Sequence, residues 1–161
     1  MLGDFGQDGL RSMKKYKLDF EFVPEECWFY NLRKILKPAD WDRVRKDAYA
    51  RAHGRCSVCG ARARLEAHEV WSYDDEQALQ KLQDVVALCH ACHEVKHISR
   101  AQLMGRGADA MEQFMRVNDC SQMEFHEALA EANREYLRRN RVEGWTTDMT
   151  WLLDKFQIEI K

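Results

Sequence analysis

Residues 56–97 read CSVCGARARLEAHEVWSYDDEQALQKLQDVVALCHACHEVKH. The segment carries two Cys-x-x-Cys pairs, one near each end, about 30 residues apart. The paired cysteines are Cys56, Cys59, Cys89 and Cys92. Two thiolates on a tight turn can bind one side of a Zn²⁺ ion, and a second pair completes the tetrahedron. Gly60 follows the first pair as a tight turn requires, and no βαβ pattern typical of a redox dithiol surrounds either pair. The spacing therefore predicts a structural zinc.

The composition is that of a globular protein, with 45% hydrophobic and 32% charged residues in 161. This length predicts a single domain with a real core. The N-terminus lacks a basic region followed by an apolar run, and no apolar stretch is long enough to span a bilayer. We therefore expect a cytoplasmic (intracellular) protein with no membrane partner. The other two cysteines, Cys27 and Cys120, are then expected to be free thiols in a reducing compartment.

The net charge of −2 argues against general nucleic-acid affinity, but the charge is unevenly distributed. Residues 1–64 hold 14 Lys/Arg against 9 Asp/Glu, which gives +5, and residues 65–161 hold 11 against 18, which gives −7. A basic N-terminal half could follow a phosphate backbone while the acidic half faces away. The alternative is that both halves are solvated helix faces.

The predicted fold class is α+β: a small zinc-clamped ββα core flanked by helices, mostly α overall. One domain, residues 1–161, is divided into four segments. These are an N-terminal arm (1–22), an N-terminal helical segment (23–55), the core (56–97) and a C-terminal helical segment (98–161). In the last segment, Ser121-Gln-Met-Glu124 is a capping box that predicts a helix to about Arg139, and the apolar tail is expected to dock.

A helix is predicted from Pro38-Ala-Asp40, with Asp40 as N-cap, to Gly54. One face is apolar and should support the zinc site, whereas the other face is cationic. These cations are either solvated or in contact with nucleic-acid phosphates. The candidate nucleic-acid contacts, with one further lysine in the core, are Arg43, Arg45, Lys46, Arg51 and Lys96.

Within the core, residues 65–71 and 84–88 are predicted strands, and residues 74–83 form a polar excursion that could hold one helical turn. A helix should run from His90 to beyond His97. His93 and His97 are four apart on that helix and therefore share a face.

His68 lies on the first predicted strand, which the zinc would hold against the helix carrying His93 and His97. Three imidazoles that converge beside a closed zinc would form a second, open metal site. The alternative for each histidine is that it caps a carbonyl or replaces a cysteine at the structural zinc.

The pattern Cys-x-x-Cys, His-Glu, Asp-x-x-x-Leu-Cys-x-x-Cys-His-x-x-x-His resembles that of the HNH (ββα-metal) endonucleases stapled by a four-cysteine zinc. The match covers residues 56–97, about a quarter of the chain. The resemblance implies a metal-dependent endonuclease that hydrolyses phosphodiester bonds in DNA. It places His68 as the ligand on the strand and His93 and His97 as ligands on the helix, all binding one catalytic divalent ion.

Two positions depart from the family pattern: Glu69 stands where the general base is normally histidine, and Asp84 stands where a central Asn orients that base. In a second register, His68 is the base and Glu66 a ligand, and residues 66 and 68 do share a strand face. Leu-Glu-Ala-His-Glu-Val resembles the family's run better in the first register, which we prefer. The predicted catalytic residues are then His68, Glu69, Asp84 and His93.

The catalytic ion is left open between hard ions, Mg²⁺ or Mn²⁺, which suit the carboxylates, and Zn²⁺, Ni²⁺ or Co²⁺, which suit imidazoles. The expected partner is DNA, and the sequence indicates no oligomeric state. The alternative function is an HNH zinc module with an eroded active site at Glu69 and Asp84, which binds nucleic acid or a protein without cutting.

Overall fold

The structure is a computed structural model that describes residues 16–160, so most of the predicted N-terminal arm, residues 1–15, lies outside the described residues. The described chain forms a mixed fold of α-helices around a small three-stranded sheet, which confirms the α+β class. No helix in residues 16–160 has the length and apolar character needed to cross a membrane. The helices are α1 (Leu32–Ile35), α2 (Pro38–Arg51), α3 (His90–Lys96), α4 (Ile98–Leu103), α5 (Gly107–Asn118), α6 (Gln122–Arg139) and α7 (Thr150–Phe156). The strands are β1 (Leu65–Asp74), β2 (Leu79–Cys89) and β3 (Thr146–Asp148).

The core of the sheet is a long antiparallel hairpin of β1 and β2, in which His68 pairs with Val86. Both strands extend well beyond the predicted ranges, and the helical turn expected within residues 74–83 is wrong. The polar residues there continue the strands because cross-strand contacts satisfy them: the buried Gln80 amide donates to the Tyr73 hydroxyl at 3.2 Å. The turn itself has Ala78 at a φ of +50° and is closed by the Asp74 carboxylate.

The C-terminal tail docks as expected, and it also adds a strand that the sequence did not predict. β3 pairs with β2 in parallel, with Leu79 opposite Thr146. Behind it, α7 buries Leu152 and Phe156 against the sheet. The tail therefore completes the core on one side of the hairpin.

The two faces of the hairpin bury different elements, because successive side chains of a strand point to opposite sides. Val85 packs on one face with α2, through Val44, and with α1. Leu88 packs on the other face with α3, through Val95, and with the cysteines. This division determines which strand residues meet which helix.

The helices largely follow their predicted boundaries. α2 begins at Pro38, so Asp40 lies inside its first turn and Lys37 is the N-cap. The capping box of α6 is present: the Glu124 N–H donates to the Ser121 hydroxyl at 3.1 Å, and the Glu124 carboxylate accepts from the Ser121 N–H. By contrast, the predicted helix through His97 divides there into α3 and α4.

Residues 16–22 of the predicted arm pack against the domain. The Asn118 amide exchanges two hydrogen bonds with the backbone of the fully buried Leu18, at 2.9 and 2.7 Å. Phe20 stacks on Phe114 of α5, with ring centroids 5.0 Å apart. The N–H of Glu21 donates to the carbonyl of Lys96 at the end of α3. This segment is therefore fixed against the helix that carries the histidines.

Candidate metal centres

The four predicted cysteines come together between the first turn after α2 and the start of α3. Their sulfur atoms all lie within 4.8 Å of one another, and the Sγ atoms of Cys59 and Cys89 are 3.7 Å apart. Ligands of a tetrahedral zinc with Zn–S bonds near 2.3 Å are separated by about 3.8 Å. The donor set thus fits a metal ion of that kind. Gly60, with φ at +75°, closes the turn after the first pair by donating to the carbonyl of Cys56.

Neighbouring groups donate hydrogen bonds to the cysteine sulfurs. The N–H of Cys92 points at the Cys89 sulfur at 3.5 Å, and the buried Gln113 amide of α5 donates to the Cys92 sulfur at 3.3 Å. A hydrogen bond from Cys92 lowers the pKa of the Cys56 thiol and raises that of Cys92, and burial raises the pKa of Cys89. The two N–H donors point at sulfur atoms that would accept these hydrogen bonds as thiolates, the form in which cysteine binds a metal. The cluster is therefore a possible metal site.

The three predicted histidines also come together, as a second group separate from the cysteines. One ring nitrogen of each histidine lies within 4.8 Å of one from each of the other two, and the ring centroids are 4.9 to 5.2 Å apart. His68 is buried on β1, His93 is half-buried on α3, and His97 is exposed between α3 and α4. The N–H of His97 still donates to the carbonyl of His93, so both imidazoles keep one face despite the helix break. We call these three residues the histidine triad.

A carboxylate orients His93. Its Nδ1 lies 2.9 Å from Oε1 of Glu66, whose other oxygen lies 3.2 Å from Nδ1 of His90. Burial lowers the pKa of His93. His97 reaches solvent, yet partial desolvation of its ring in the cleft lowers its pKa to about 4, and the other two imidazoles and nearby cations add to the effect. Burial raises the pKa of Glu66, but the hydrogen bonds from the two histidines outweigh it, and the net shift is downward. The imidazoles of His93 and His97, whose pKa values are lowered, are thus neutral at pH 7, as metal ligation requires.

A second carboxylate contacts His68 from a distant part of the chain. The Nε2 of His68 lies in hydrogen-bond contact with Oε2 of Glu21. The Nδ1 of His68 is buried and has no hydrogen-bond partner among the described residues. The ring nitrogen that does not contact one of these carboxylates is therefore Nδ1 on His68 and Nε2 on His93.

The structure does not bring Glu69 and Asp84 into the histidine triad. Glu69 pairs across the sheet with Val85, on the face that packs against α1 and α2, and its carboxylate accepts from the N–H of Leu32 at 3.0 Å. Asp84 accepts from Arg51 at 3.1 Å. By contrast, Glu66 and His68 lie on the α3 face. This geometry agrees with the second register only in placing Glu66 beside the histidines, and the catalytic roles of Glu69 and Asp84 stay predictions.

Two histidines of the triad, His93 and His97, border an open cleft of about 380 Å³ between β1, α3 and α4, whereas His68 is buried behind them. Glu66, His93 and His97 line it together with Arg100, an exposed cation of α4. The positive charge of Arg100 contributes to the lowered pKa of His97. An anion that enters this cleft would therefore meet both imidazole edges and a guanidinium.

The predicted nucleic-acid contacts on α2 lie on the opposite face of the sheet from the triad. Most of them already have partners within the chain: Arg45 pairs with Asp42 at 2.7 Å, and Arg51 donates to the carbonyl of Val85 at 2.7 Å. Arg43 also donates to a backbone carbonyl in this way, Lys46 is exposed, and Lys96 pairs with Asp19. Their role toward DNA stays a prediction.

No protein-family model, no curated protein and no solved structure matches this chain. The resemblance to HNH endonucleases therefore rests on the motif and on the geometry of the two clusters.

Sequence reasoning missed three residues that the fold brings to the clusters: Glu21, Arg100 and Gln113. Glu21 is 47 positions away from His68, and no local pattern links the two. Arg100 lies one helical turn beyond His97, so the predicted helix could have placed it on the same side of the core.

Proposed function

We propose that this protein is a metal-dependent endonuclease of the HNH type that hydrolyses phosphodiester bonds in DNA. The observation that carries the proposal is the convergence of three imidazoles, two of which line an open cleft, beside a separate cluster of four cysteine sulfurs. Four thiolates fill the coordination of a zinc ion and leave no position for a substrate. Three imidazoles leave coordination positions open for a substrate, and a site that has lost its activity would not need three ligands.

The four cysteines are assigned a structural zinc. They join the turn after α2 to the end of β2 and the start of α3. A zinc ion bound there would contribute around 10 kcal/mol or more to the stability of such a unit. Its place in the function is to hold α3 against β1, which is what brings His93 and His97 to His68.

The triad is assigned a divalent cation, and its imidazoles suit Zn²⁺, Ni²⁺ or Co²⁺. Such an ion would stabilise the negative charge that develops on a phosphate and its leaving oxygen. Two side chains of the protein supply the other interactions. Glu66 holds the ring of His93 in one orientation, and Arg100 offers a guanidinium to a phosphate oxygen in the same cleft.

Two carboxylates are candidates for accepting the proton of the attacking water. Glu66 lies on the triad's face of β1 and lines the cleft, whereas the Glu69 carboxylate is held at the N-terminus of α1. A general base must come within hydrogen-bond reach of its proton, directly or through one water. We therefore assign the proton acceptor to Glu66 and a helix-capping role to Glu69.

The second candidate function is a zinc module that binds nucleic acid or protein without cutting. The specific observation in its favour is that the position of the family's base is occupied by Glu69, which is engaged with the backbone of Leu32. Loss of the base would leave a metal site with weak or no hydrolytic activity.

The test is plasmid nicking by purified protein that retains its zinc, with EDTA-treated buffer, Mg²⁺, Mn²⁺, Co²⁺ or Ni²⁺. We expect relaxed or linear plasmid only when a divalent ion is added. His68→Ala, purified in parallel, is the control for contaminating nucleases, because it removes a ligand and should abolish the products. Intact plasmid with every ion would refute the endonuclease and favour the binding module.

A further inference from the structure

We propose that Glu21 is a positioning residue of the histidine triad: its carboxylate accepts the Nε2–H of His68 and leaves the Nδ1 lone pair for a divalent cation. This inference rests on the metal site of the proposed function and adds a residue from outside the motif. The residue lies in the N-terminal segment that runs along α3.

The hydrogen-bonding state of His68 carries the first step. A neutral imidazole has one N–H and one lone pair, and the partner of one nitrogen decides the state of the other. Here, Oε2 of Glu21 contacts Nε2, and an ionised carboxylate can only accept a hydrogen bond. The proton is therefore on Nε2. The buried Nδ1, which has no partner in the described part of the chain, then carries a lone pair.

The second step is that this lone pair belongs to the triad. A buried polar atom without a partner is rare in proteins and often marks an ion or ligand site. The donor atoms of His68, His93 and His97 are mutually close, and within residues 16–160 the Glu21 carboxylate is not a member of that group. Oε1 of Glu21 is also buried without a partner among the described residues, but the carboxylate lies outside the group of three donor atoms, so we assign it to the support of His68 rather than to a fourth ligand position.

The same arrangement recurs at His93, but with the nitrogens exchanged. Glu66 contacts Nδ1 of His93, and Glu21 contacts Nε2 of His68. Two of the three imidazoles therefore have one nitrogen fixed by a carboxylate and the other left for a metal. This pairing of carboxylate, histidine and metal is the usual support of a metal-ligating histidine.

The third step is that the chain holds Glu21 firmly on both sides. Its own N–H donates to the carbonyl of Lys96 at 3.0 Å. The preceding Phe20 stacks on Phe114, and the following Phe22 packs against Tyr136, with ring centroids 5.7 Å apart. The side chain of Glu21 is only 15% exposed. Such fixed burial of a carboxylate against an imidazole suits a supporting role at a metal site.

The test is Ni²⁺ binding to the zinc-loaded protein, measured by isothermal titration calorimetry without DNA. Loss of a supporting partner typically weakens metal binding by about 10- to 100-fold, which is the change we expect for Glu21→Gln. The matched control is Asp19→Asn, which removes an acidic charge two residues away that contacts Lys96 rather than His68. Its dissociation constant should stay within about twofold of the wild-type value. A folded Glu21→Gln protein that binds Ni²⁺ like the wild type would overturn the inference.

A second measurement needs no variant. A long-range ¹H–¹⁵N spectrum of the wild-type imidazoles reports which nitrogen of His68 is protonated. We expect a protonated Nε2 and, on adding Ni²⁺, a change at Nδ1; a protonated Nδ1 would overturn the inference.

These results are independent of the proposed reaction. Glu21-dependent Ni²⁺ binding without plasmid cleavage would refute the endonuclease and leave the role of Glu21 intact. If the wild-type protein cleaves plasmid while Glu21→Gln binds Ni²⁺ normally, the endonuclease is supported and the role of Glu21 is refuted. If the wild-type triad binds no Ni²⁺, the inference about Glu21 fails, whereas the endonuclease is still decided by plasmid cleavage with the other ions.

Discussion

Replacing His93 with alanine should separate the histidine triad from the structural cluster. The His93 side chain is 23% exposed and makes a hydrogen bond to Glu66 at 2.9 Å, and Glu66 keeps a second partner in His90. A hydrogen bond of this kind contributes about 0.5–1.5 kcal/mol net. The variant should therefore lose about 1 kcal/mol of unfolding free energy, or roughly 2–4 °C in Tm for a chain of this size.

His93→Ala should lower the cleavage rate far more than it lowers the unfolding free energy. The substitution removes one of three imidazoles that are mutually within 4.8 Å, while the four cysteines are untouched. A cleavage rate at least about 100-fold lower corresponds to about 2.7 kcal/mol of lost transition-state stabilisation. The assay is plasmid nicking under saturating Mn²⁺ or Ni²⁺, with a thermal melt and a zinc determination on the same preparation.

His90→Ala is the matched control, because His90 also bonds Glu66 from α3 but does not belong to the triad. It should show a similar small loss of stability, keep its zinc and cleave within about tenfold of the wild-type rate. If His93→Ala unfolds the protein or releases its zinc, His93 is a structural ligand and the reasoning is refuted.

Three further predictions follow from the two clusters. Cys89→Ser should give insoluble or zinc-free protein, since it opens the four-cysteine cluster; zinc analysis and a melt that match the wild type would contradict this. Glu66→Gln should lower cleavage more than Glu69→Gln, because only Glu66 lines the cleft, and the opposite order would restore Glu69 as the base. Ni²⁺ affinity should fall by no more than about tenfold between pH 7.5 and 6, because the lowered pKa values of His93 and His97 move their protonation below the ordinary range. Three imidazoles with ordinary pKa values near 6.5 would give a fall several times larger in the same titration.

The parts of the fold that were predicted correctly depend on neighbours in sequence. Each Cys-x-x-Cys pair and its following turn is a local motif, and the Ser121–Glu124 capping box lies within a single turn of α6. The histidine triad was also predictable, because the i, i+4 spacing of His93 and His97 survives the helix break through one backbone hydrogen bond.

The parts that were missed depend on contacts between distant residues. The strands extend into residues 74–83 because Tyr73 and Thr147 satisfy the buried Gln80, and neither partner can be recognised from the polar sequence. Glu69 was preferred as the base from its place in the motif, whereas the cross-strand register puts it on the face of α1 and α2. Glu21 reaches His68 only because the aromatic packing of the N-terminal segment carries it there.

Anomalous X-ray scattering from crystals of the zinc-purified protein grown with Ni²⁺ tests the central assignment of two separate metal sites most directly. Data on either side of the zinc and nickel absorption edges identify each ion by element and position. We expect zinc among Cys56, Cys59, Cys89 and Cys92, and nickel bonded to Nδ1 of His68, Nε2 of His93 and a nitrogen of His97. A single ion shared by cysteines and histidines, or a triad without nickel at saturating concentration, would contradict the account.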